Sequence, residues 1–277
     1  MLPLSQRITA PAPQRPVDTA ELHWRAATSA DLDAILDCTR EMDRADHPHY
    51  LTAREELEED FAHSHINHDR DSLLAVDQRG RVQAWGLTEL SPGQETLVRS
   101  IMYGGVRPSA RGRGIGRQLF AWQNDRALEQ LASSEKTLPG WLVAFAEESE
   151  AVAASLYARF GFHIARYFLE LTRVVREPIP GRRLPPGLRL EGFATHWSEA
   201  AREARNAAFR DHWGSQPVNA ELWDSFVARS ILRPDLSFLA IATADDGTEE
   251  VAGLVMSSVN EEDWEGQGFS SAYIDIV

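Results

Sequence analysis

The chain has 277 residues, 43% of them hydrophobic, and carries a formal net charge of −14 at neutral pH. The length exceeds the usual size of one domain, which predicts two hydrophobic cores, and the negative charge argues against a nucleic-acid partner. The single cysteine, Cys38, excludes a disulfide framework and favours a reducing, cytoplasmic compartment. The sequence contains no apolar run near the roughly 18 residues of a membrane span, so no membrane partner is expected.

The first half of the chain has the pattern of one α/β domain over residues 20–176, preceded by a flexible tail over residues 1–19. Short apolar or alternating runs predict its strands at 22–26, 72–77, 82–90, 97–106, 141–146 and within 163–175. Its helices are predicted from 28 to about 43, from 54 to about 61, after 114, and from 150 to 160. Thr28 and Asp31 have capping-box spacing at the start of the first helix.

A segment rich in proline and glycine over residues 177–187 is typical of a linker, and the pattern restarts after it. The second half, residues 188–277, is predicted to contain strands at 188–193, 238–243, 251–259 and 272–277, with helices at 196–209 and 222–231. The last of these strands stands where the fourth strand of a repeated domain would begin. We therefore expect a partial second domain that lacks a C-terminal segment.

The most specific motif is a basic, glycine-rich stretch between a strand-like run and an amphipathic helix. It consists of Arg111, Gly112, Arg113, Gly114, Ile115, Gly116 and Arg117. The first N–H groups of a helix have no intrahelical acceptor and lie at the positive end of the helix dipole, so such an end binds anions. Glycines let a diphosphate approach the main chain closely, and arginines supply charge. A basic turn that only caps the helix is the alternative interpretation.

Arg111-x-x-Gly114-x-Gly116 resembles the R/Q-x-x-G-x-G/A loop of the GCN5-related N-acetyltransferase (GNAT) family. The octet at 155–162, with Tyr157 four residues before a Gly-Phe pair, looks like the end of a helix in the same family, and a plain helix C-cap is its alternative. The resemblance implies an α/β fold, with an α+β mixed sheet, in tandem acyl-CoA N-acyltransferase domains. Each domain would be a mostly antiparallel sheet flanked by helices, and the second would be incomplete.

The resemblance implies acetyl-CoA as the co-substrate. Its pyrophosphate would lie on the amides of residues 111–117, and its pantetheine arm would pair like an added strand with the backbone of Gly104, Gly105 and Val106. No cluster of His, Cys and Asp in the sequence has the spacing of a metal site, so no metal is expected.

The implied reaction is direct attack of a primary amine on the thioester through a tetrahedral intermediate. Tyr157 would serve the leaving thiolate, and a backbone N–H near Val106 would polarise the carbonyl group. A core aromatic is the alternative interpretation of Tyr157. The strand at 97–106 contains no carboxylate, so Glu147 and Glu89, on or beside neighbouring strands, are candidate general bases. Solvated strand-end charges are the alternative interpretation of both.

These features favour an acyltransferase that acetylates a small-molecule amine, and the negative net charge suits a cationic acceptor. A non-catalytic or regulatory acyl-CoA-binding module is one alternative, and a protein acetyltransferase acting on lysine or an N-terminal amine is another. Segments 206–209 and 211–214 loosely resemble tandem-domain members of the family whose second half is catalytic, which this sequence cannot reproduce without a second pyrophosphate loop. A homodimer is left open, and the sequence does not define the acceptor.

Overall fold

Two β-sheets organise the chain, one in each half, in the computed structural model, which describes residues 2–181 and 183–277. The α-helices are α1 (Leu4–Arg7), α2 (Leu32–Asp46), α3 (Arg54–Ala62), α4 (His68–Asp71), α5 (Ile115–Ala132), α6 (Ala151–Arg159), α7 (Ser198–Ala208), α8 (Ala220–Ala228) and α9 (Trp264–Gln267). The strands are β1 (Leu22–Arg25), β2 (Ser72–Asp77), β3 (Val82–Leu90), β4 (Val98–Val106), β5 (Gly140–Ala144), β6 (Leu188–Gly192), β7 (Phe238–Thr243), β8 (Glu249–Ser258) and β9 (Tyr273–Ile276). Met1 of the predicted tail and Arg182 of the predicted linker lie outside the described residues.

Sheet A contains β1 to β5 in chain order, and every neighbouring pair is antiparallel except β4 and β5, which run parallel. Successive side chains of a strand point to opposite faces, and helices cover both faces of this sheet. On one face Trp85 packs with Ile35 and Cys38 of α2. On the other face Trp24 packs with Leu119 of α5. The predicted mixed, mostly antiparallel sheet flanked by helices is therefore confirmed.

Strand β4 separates from β5 partway along its length. Its antiparallel pairing with β3 continues to Val106, whereas its parallel pairing with β5 ends where Met102 faces Ala144. In sheet A as described, the backbone of residues 103–106 therefore has a strand on one side only. Side chains of Gln123 and Arg111 donate to the carbonyl oxygens of Tyr103 and Val106, and the other N–H and C=O groups on such a free edge can pair with an added extended chain.

Sheet B contains β6 to β9 in chain order, and all its neighbouring pairs are antiparallel. Its core joins Ala201 of α7 and Trp223 of α8 to Leu239, Ile241 and Met256 of the strands. Apart from the single-turn helices α4 and α9, the order β6–α7–α8–β7–β8–β9 is the same as the order β1–α2–α3–β2–β3–β4 of the first half. In the described part of the chain, no helix is long and apolar enough to cross a lipid bilayer.

The predicted flexible tail over residues 1–19 differs from the structure near its start. Leu4 lies in α1, is 1% exposed, and packs with Val98 and Leu131. The N–H groups of residues 4 and 5 each donate to a carbonyl oxygen of the segment after α5 at 3.0 Å. A single helical turn has too few residues for a periodic pattern, so this anchor depends on a tertiary contact that the local sequence does not reveal.

The prediction of strands within residues 163–175 is wrong, because all thirteen of these residues are described and none belongs to a strand. Their large apolar side chains are exposed: Ile164, Tyr167, Phe168, Leu169, Leu171, Val174 and Val175. Among the described strands, β5 is consequently the edge of sheet A. Apolar composition favours a strand, but a strand also needs a hydrogen-bonded neighbour, which a local pattern cannot specify.

Candidate active site

The basic glycine loop lies between β4 and α5, the position that the sequence predicts. Gly112 and Gly114 have φ angles of +77° and +80°, in the left-handed region that favours glycine. Gly114 is the N-cap residue of α5, and no side chain among the described residues caps that helix end. The first amides of α5 are therefore open to an external acceptor, which is the property that an anion site requires.

Two of the three loop arginines are paired with carboxylates. Arg111 makes a bidentate ion pair with Asp46 at the end of α2, with N–O distances of 2.7 and 2.6 Å. Arg113 pairs with Glu21. The third, Arg117, has no carboxylate oxygen within 4.0 Å in the part of the chain that the structure describes. Arg111 thus ties the loop to α2, and Arg117 is the loop charge that is available to a ligand.

Close packing requires glycine at two positions of β4. Gly104 has a φ of +106°, and a Cβ there would lie 2.2 Å from the Trp85 carbonyl oxygen. At Gly105, a Cβ would lie 3.0 Å from the Met42 sulfur. The free edge of β4 and the open amides of α5 lie at the two ends of one connecting turn. This arrangement fits the predicted acetyl-CoA site, because an amide-bearing arm matches the edge and a diphosphate matches the amides.

Tyr157 lies on α6, beside the point where β4 and β5 separate. Its hydroxyl donates to the carbonyl oxygen of Phe145, just beyond β5, at 3.1 Å. Its ring lies 4.7 Å from the ring of Phe120 on α5, measured between centroids. Burial raises the pKa of Tyr157, so its hydroxyl keeps its proton at neutral pH and can act as a proton donor.

The two candidate bases have different surroundings. Glu89, near the end of β3, has a side chain that is 14% exposed, and it accepts hydrogen bonds from His65 Nε2 at 3.0 Å and Ser91 Oγ at 2.9 Å. Burial by itself raises the pKa of Glu89, but these hydrogen bonds and the neighbouring histidines outweigh burial, and the pKa is lowered. Glu147 is exposed in the turn after β5. The structure therefore gives Glu89 a defined environment that Glu147 lacks.

Two further residues belong with Glu89. Asp60 lies on α3, and burial raises its pKa to about 7, with the negative charge of Glu89 contributing. Tyr103 lies on β4, and burial, with the charges of Glu89 and Asp60, raises its pKa as well. We refer to Glu89, His65, Asp60 and Tyr103 as the acceptor cluster. The described residues contain no group of three or more His, Cys, Asp or Glu side chains placed to hold a metal ion.

Sequence reasoning missed three members of the acceptor cluster. Asp60 is one of several carboxylates in an acidic helix, and such charges are usually solvated. Its spacing of four residues from Glu56, which places both on one face of α3, is the available signal. His65 and Tyr103 carry no local pattern, since their roles depend on the packing of α3 and the following loop over sheet A.

The second half of the chain holds α3 and the loop that carries His65. Glu221 of α8 accepts hydrogen bonds from the N–H of Ser64 at 2.6 Å and from its hydroxyl at 2.7 Å. Arg229, just after α8, makes a bidentate ion pair with Glu59 of α3 at 2.8 and 2.6 Å. One side of the acceptor cluster is therefore positioned by contacts between the two halves.

Comparison with known proteins identifies the segment that contains this site. Residues 69–164 match the family model described as an acetyltransferase (GNAT) domain. The chain is 29% identical over 160 residues to a mycothiol acetyltransferase of Nocardioides sp., covering 57% of this chain and 51% of that protein. It is 36% identical over 108 residues to a mycothiol acetyltransferase of Thermobispora bispora, covering 39% and 33%. The chain thus spans about half the length, or less, of these curated relatives.

Among solved structures, the fold is similar to that of a GCN5-related N-acetyltransferase from Sphaerobacter thermophilus. The TM-score is 0.57 at 20% sequence identity, and the match covers 89% of this chain and 74% of that chain. At this identity the likeness concerns the fold. The segment matched by the family model contains the glycine loop, Tyr157, Glu89 and Tyr103.

Asp60→Asn is expected to stabilise the protein increasingly as the pH rises. Between about pH 4 and pH 7 the folded wild-type protein keeps a proton on Asp60 that the unfolded chain releases, because the pKa is raised from 3.8 to about 7. Wild-type stability therefore falls across this window, and the variant lacks that loss. The difference in unfolding free energy between variant and wild type should grow by up to about 4 kcal/mol between pH 4 and pH 8.

Urea denaturation at each pH measures this difference, and Asp69→Asn is the control. Asp69 is exposed on α4, so its replacement should leave the pH dependence of stability unchanged. A difference between Asp60→Asn and wild type that stays constant from pH 4 to pH 8 would contradict the raised pKa.

Proposed function

Since residues 69–164 of this chain match the model of a GNAT acetyltransferase domain, we propose that the protein transfers the acetyl group of acetyl-CoA to the primary amine of a small molecule. The observation that carries this proposal is the combination of an anion-binding helix start with a free strand edge. The left-handed glycines before α5 and the unpaired side of β4 are joined by one short turn. A ligand that links a diphosphate to an amide-bearing arm matches both.

GNAT acetyltransferases use acetyl-CoA, which supplies the acyl group as a reactive thioester. In this chain the first amides of α5 and the guanidinium of Arg117 bind the diphosphate. Arg111 keeps the loop in place through its ion pair with Asp46. The backbone of residues 104–106 takes the pantetheine arm as an added strand, and glycine at 104 and 105 lets this backbone lie close to Trp85 and Met42.

Glu89 acts as the general base. An amine attacks only as the neutral species, so the site needs a group that accepts its proton. Glu89 is ionised at neutral pH because its pKa is lowered, and His65 and Ser91 fix the orientation of its carboxylate. Asp60, with a pKa of about 7, is partly ionised at neutral pH, and a cationic amine that enters the acceptor cluster favours its ionised form.

Tyr157 and the backbone of β4 act on the other reactant. A backbone N–H near Val106 donates to the carbonyl oxygen as negative charge develops on it. Tyr157 donates its proton to the departing sulfur, for which its raised pKa and its position beside the free edge of β4 are suited. The proton acceptor, Glu89 on β3, and the proton donor, Tyr157 on α6, thus lie on different elements. The acetyl group passes directly from the thioester to the amine.

The acceptor cluster favours a cationic small molecule. The curated relatives carry the name mycothiol acetyltransferase, which makes a mycothiol-related amine a candidate acceptor. A module that binds acyl-CoA without turnover would share the glycine loop, but it would need neither Glu89 nor Tyr157, and the variants below separate the two functions.

Gly114→Val is expected to weaken acetyl-CoA binding at least tenfold. A branched side chain is strained at a φ of +80°, and relief of that strain moves the loop and crowds the amides at the start of α5. Calorimetric titration of the whole chain with acetyl-CoA measures affinity and stoichiometry, and one site per wild-type chain is expected.

The matched control for this variant is Gly80→Val. Gly80, in the turn between β2 and β3, has a φ of +78° and nothing within 4 Å of a Cβ built there. The backbone strain is similar, on the order of 1–2 kcal/mol, but acetyl-CoA affinity should be retained. Normal binding by Gly114→Val would mean that the loop is only a helix cap.

Glu89→Gln is expected to lower kcat/KM for an amine acceptor about 10²-fold or more at neutral pH, with unchanged acetyl-CoA affinity. The loss should shrink as the pH approaches the pKa of the amine, where the acceptor is already neutral. Steady-state rates across pH measure both effects. Glu147→Gln is the control and should keep wild-type rates. A larger loss of kcat/KM in Glu147→Gln than in Glu89→Gln would identify Glu147, in the turn after β5, as the general base.

Tyr157→Phe is expected to lower kcat about 10²-fold with little change in acetyl-CoA affinity. Phenylalanine keeps the ring contact with Phe120 and removes only the hydroxyl that donates to Phe145. Comparison of kcat with calorimetric affinity separates proton donation from packing. Unchanged turnover would exclude Tyr157 as the proton donor.

A further inference from the structure

Two arginines at the junction of the two halves have no carboxylate partner among residues 2–181 and 183–277. Arg99, on β4, donates from Nη1 to the carbonyl oxygen of Gly214 at 2.7 Å. Arg205, on α7, donates from Nη1 to the carbonyl oxygen of Gln216 at 3.0 Å and to Asn206 Oδ1 at 3.1 Å. In the described part of the chain, neither guanidinium has a carboxylate oxygen within 4.0 Å.

This lack of neutralisation is unusual in a chain with a net charge of −14. A comparable half-buried arginine at the same junction, Arg229, is paired with Glu59. Burial and the positive charge of Arg99 lower the pKa of Arg205, so the two guanidiniums are close enough to repel each other. The Nε of Arg99 is buried and has no hydrogen-bond partner among the described residues. A bound anion would offset the repulsion between the two guanidiniums and would accept a hydrogen bond from Arg99 Nε.

The two arginines are held in place by the segment between α7 and α8. Trp213 of that segment packs on Trp141 of β5, with ring centroids 5.2 Å apart. Gln216 is buried, and its Oε1 accepts a hydrogen bond from the N–H of Glu95 at 2.8 Å. Because this segment is fixed on sheet A, the carbonyl groups that hold Arg99 and Arg205 fix both guanidiniums relative to β4. The geometry is that of a formed site rather than of two solvated side chains.

The cationic pair lies along the same strand as the acceptor cluster. Side chains alternate on β4, so Arg99 and Tyr103 share one face, whereas Ser100 faces α5. The positive charge of Arg99 acts on the pKa of Tyr103 in the direction opposite to Glu89 and Asp60. Glu89 is paired with Ile101, which lies between Arg99 and Tyr103 along β4, so the carboxylate and the guanidinium are two strand positions apart. Two residues of a strand span about 7 Å, which is the scale of the separation between the charged groups of a small zwitterionic molecule.

We propose that Arg99 and Arg205 form an oxyanion-binding subsite for the acceptor, so that the amine to be acetylated also carries a carboxylate or a phosphate group. This inference rests on the proposed function, since it assigns the acceptor class of that site. The amine end of the acceptor lies at Glu89 and Asp60, and its anionic end lies on the two guanidiniums. A zwitterionic amine matches both ends, whereas a simple polyamine would place a cation beside Arg99.

The test compares amines that differ only in the anionic group. L-lysine is paired with cadaverine, which lacks the carboxylate, and phosphoethanolamine is paired with ethanolamine, which lacks the phosphate. Binding of each to the whole chain, with and without CoA, is measured by ligand-observed saturation-transfer NMR. We expect the anionic member of at least one pair to bind tenfold tighter or more, and the pair that shows the preference identifies the group as carboxylate or phosphate.

Arg99→Gln and Arg205→Gln should each remove this preference and leave the affinity for the anion-free amine unchanged. Arg210→Gln is the control, because Arg210 is exposed in the turn after α7, and it should keep the preference. If no pair shows a preference in the wild-type protein, or if the preference survives both substitutions, the subsite is overturned.

The proposed function is tested separately on the same samples. Acetyl-CoA affinity depends on the glycine loop, whereas the preference for an anionic amine is measured without turnover. If the wild-type protein does not bind acetyl-CoA, the result would count against the acetyltransferase function. The preference for an anionic amine could still be interpreted. Normal acetyl-CoA binding without any preference would retain the function and exclude the subsite.

Discussion

The end of the pairing between β4 and β5 is the constraint on which the site depends. Parallel strands share a continuous ladder, and here that ladder stops where Met102 faces Ala144. Beyond this point β4 continues only on β3, held there by a close approach that leaves no room for a Cβ at Gly104. The unpaired backbone and the turn into α5 then follow within a few residues. A strand edge and a helix start are thereby brought together, which two regular strands could not achieve.

Positive and negative groups lie on different sides of the point where β4 separates from β5. On one side lie the first amides of α5 and Arg117, which has no carboxylate oxygen within 4.0 Å among the described residues. On the other side the acceptor cluster contains Glu89 and Asp60, and burial raises the pKa of Asp60 to about 7. Interactions between charges are stronger in such partly desolvated surroundings than at an exposed surface. Hydrogen bonds from His65 and Ser91 offset the burial of Glu89 and keep its carboxylate ionised. Two neighbouring carboxylates thus have pKa values shifted in opposite directions, which suits different roles in proton transfer and acceptor attraction.

Local sequence patterns predicted the elements that rest on local interactions. Strands β2 and β3 have the predicted bounds, because their apolar runs are flanked by a short polar turn, and the glycine loop precedes a helix as its left-handed glycines require. The acceptor side depends instead on distant contacts: Arg99 and Gly214 are 115 positions apart in the sequence. The hydrogen bond from His65 to Glu89 likewise joins a loop to a strand. No period or turn signal encodes such pairs, and for the same reason the anchoring of Leu4 was missed and strands were wrongly predicted within 163–175.

The second half contacts the surroundings of the site through two separate segments. Glu221 holds Ser64, the neighbour of His65, whereas the segment ending in Gln216 lies against β4 and β5. Hydrogen bonds and ion pairs of this kind contribute little each when exposed, so their importance lies in position rather than in stability. A shift of the second half would move His65 relative to Glu89 and Arg205 relative to Arg99. The hydrogen bond from His65 to Glu89 and the position of Arg205 relative to Arg99 therefore both depend on the second half, even though the glycine loop, Glu89 and Tyr157 all lie in the first half.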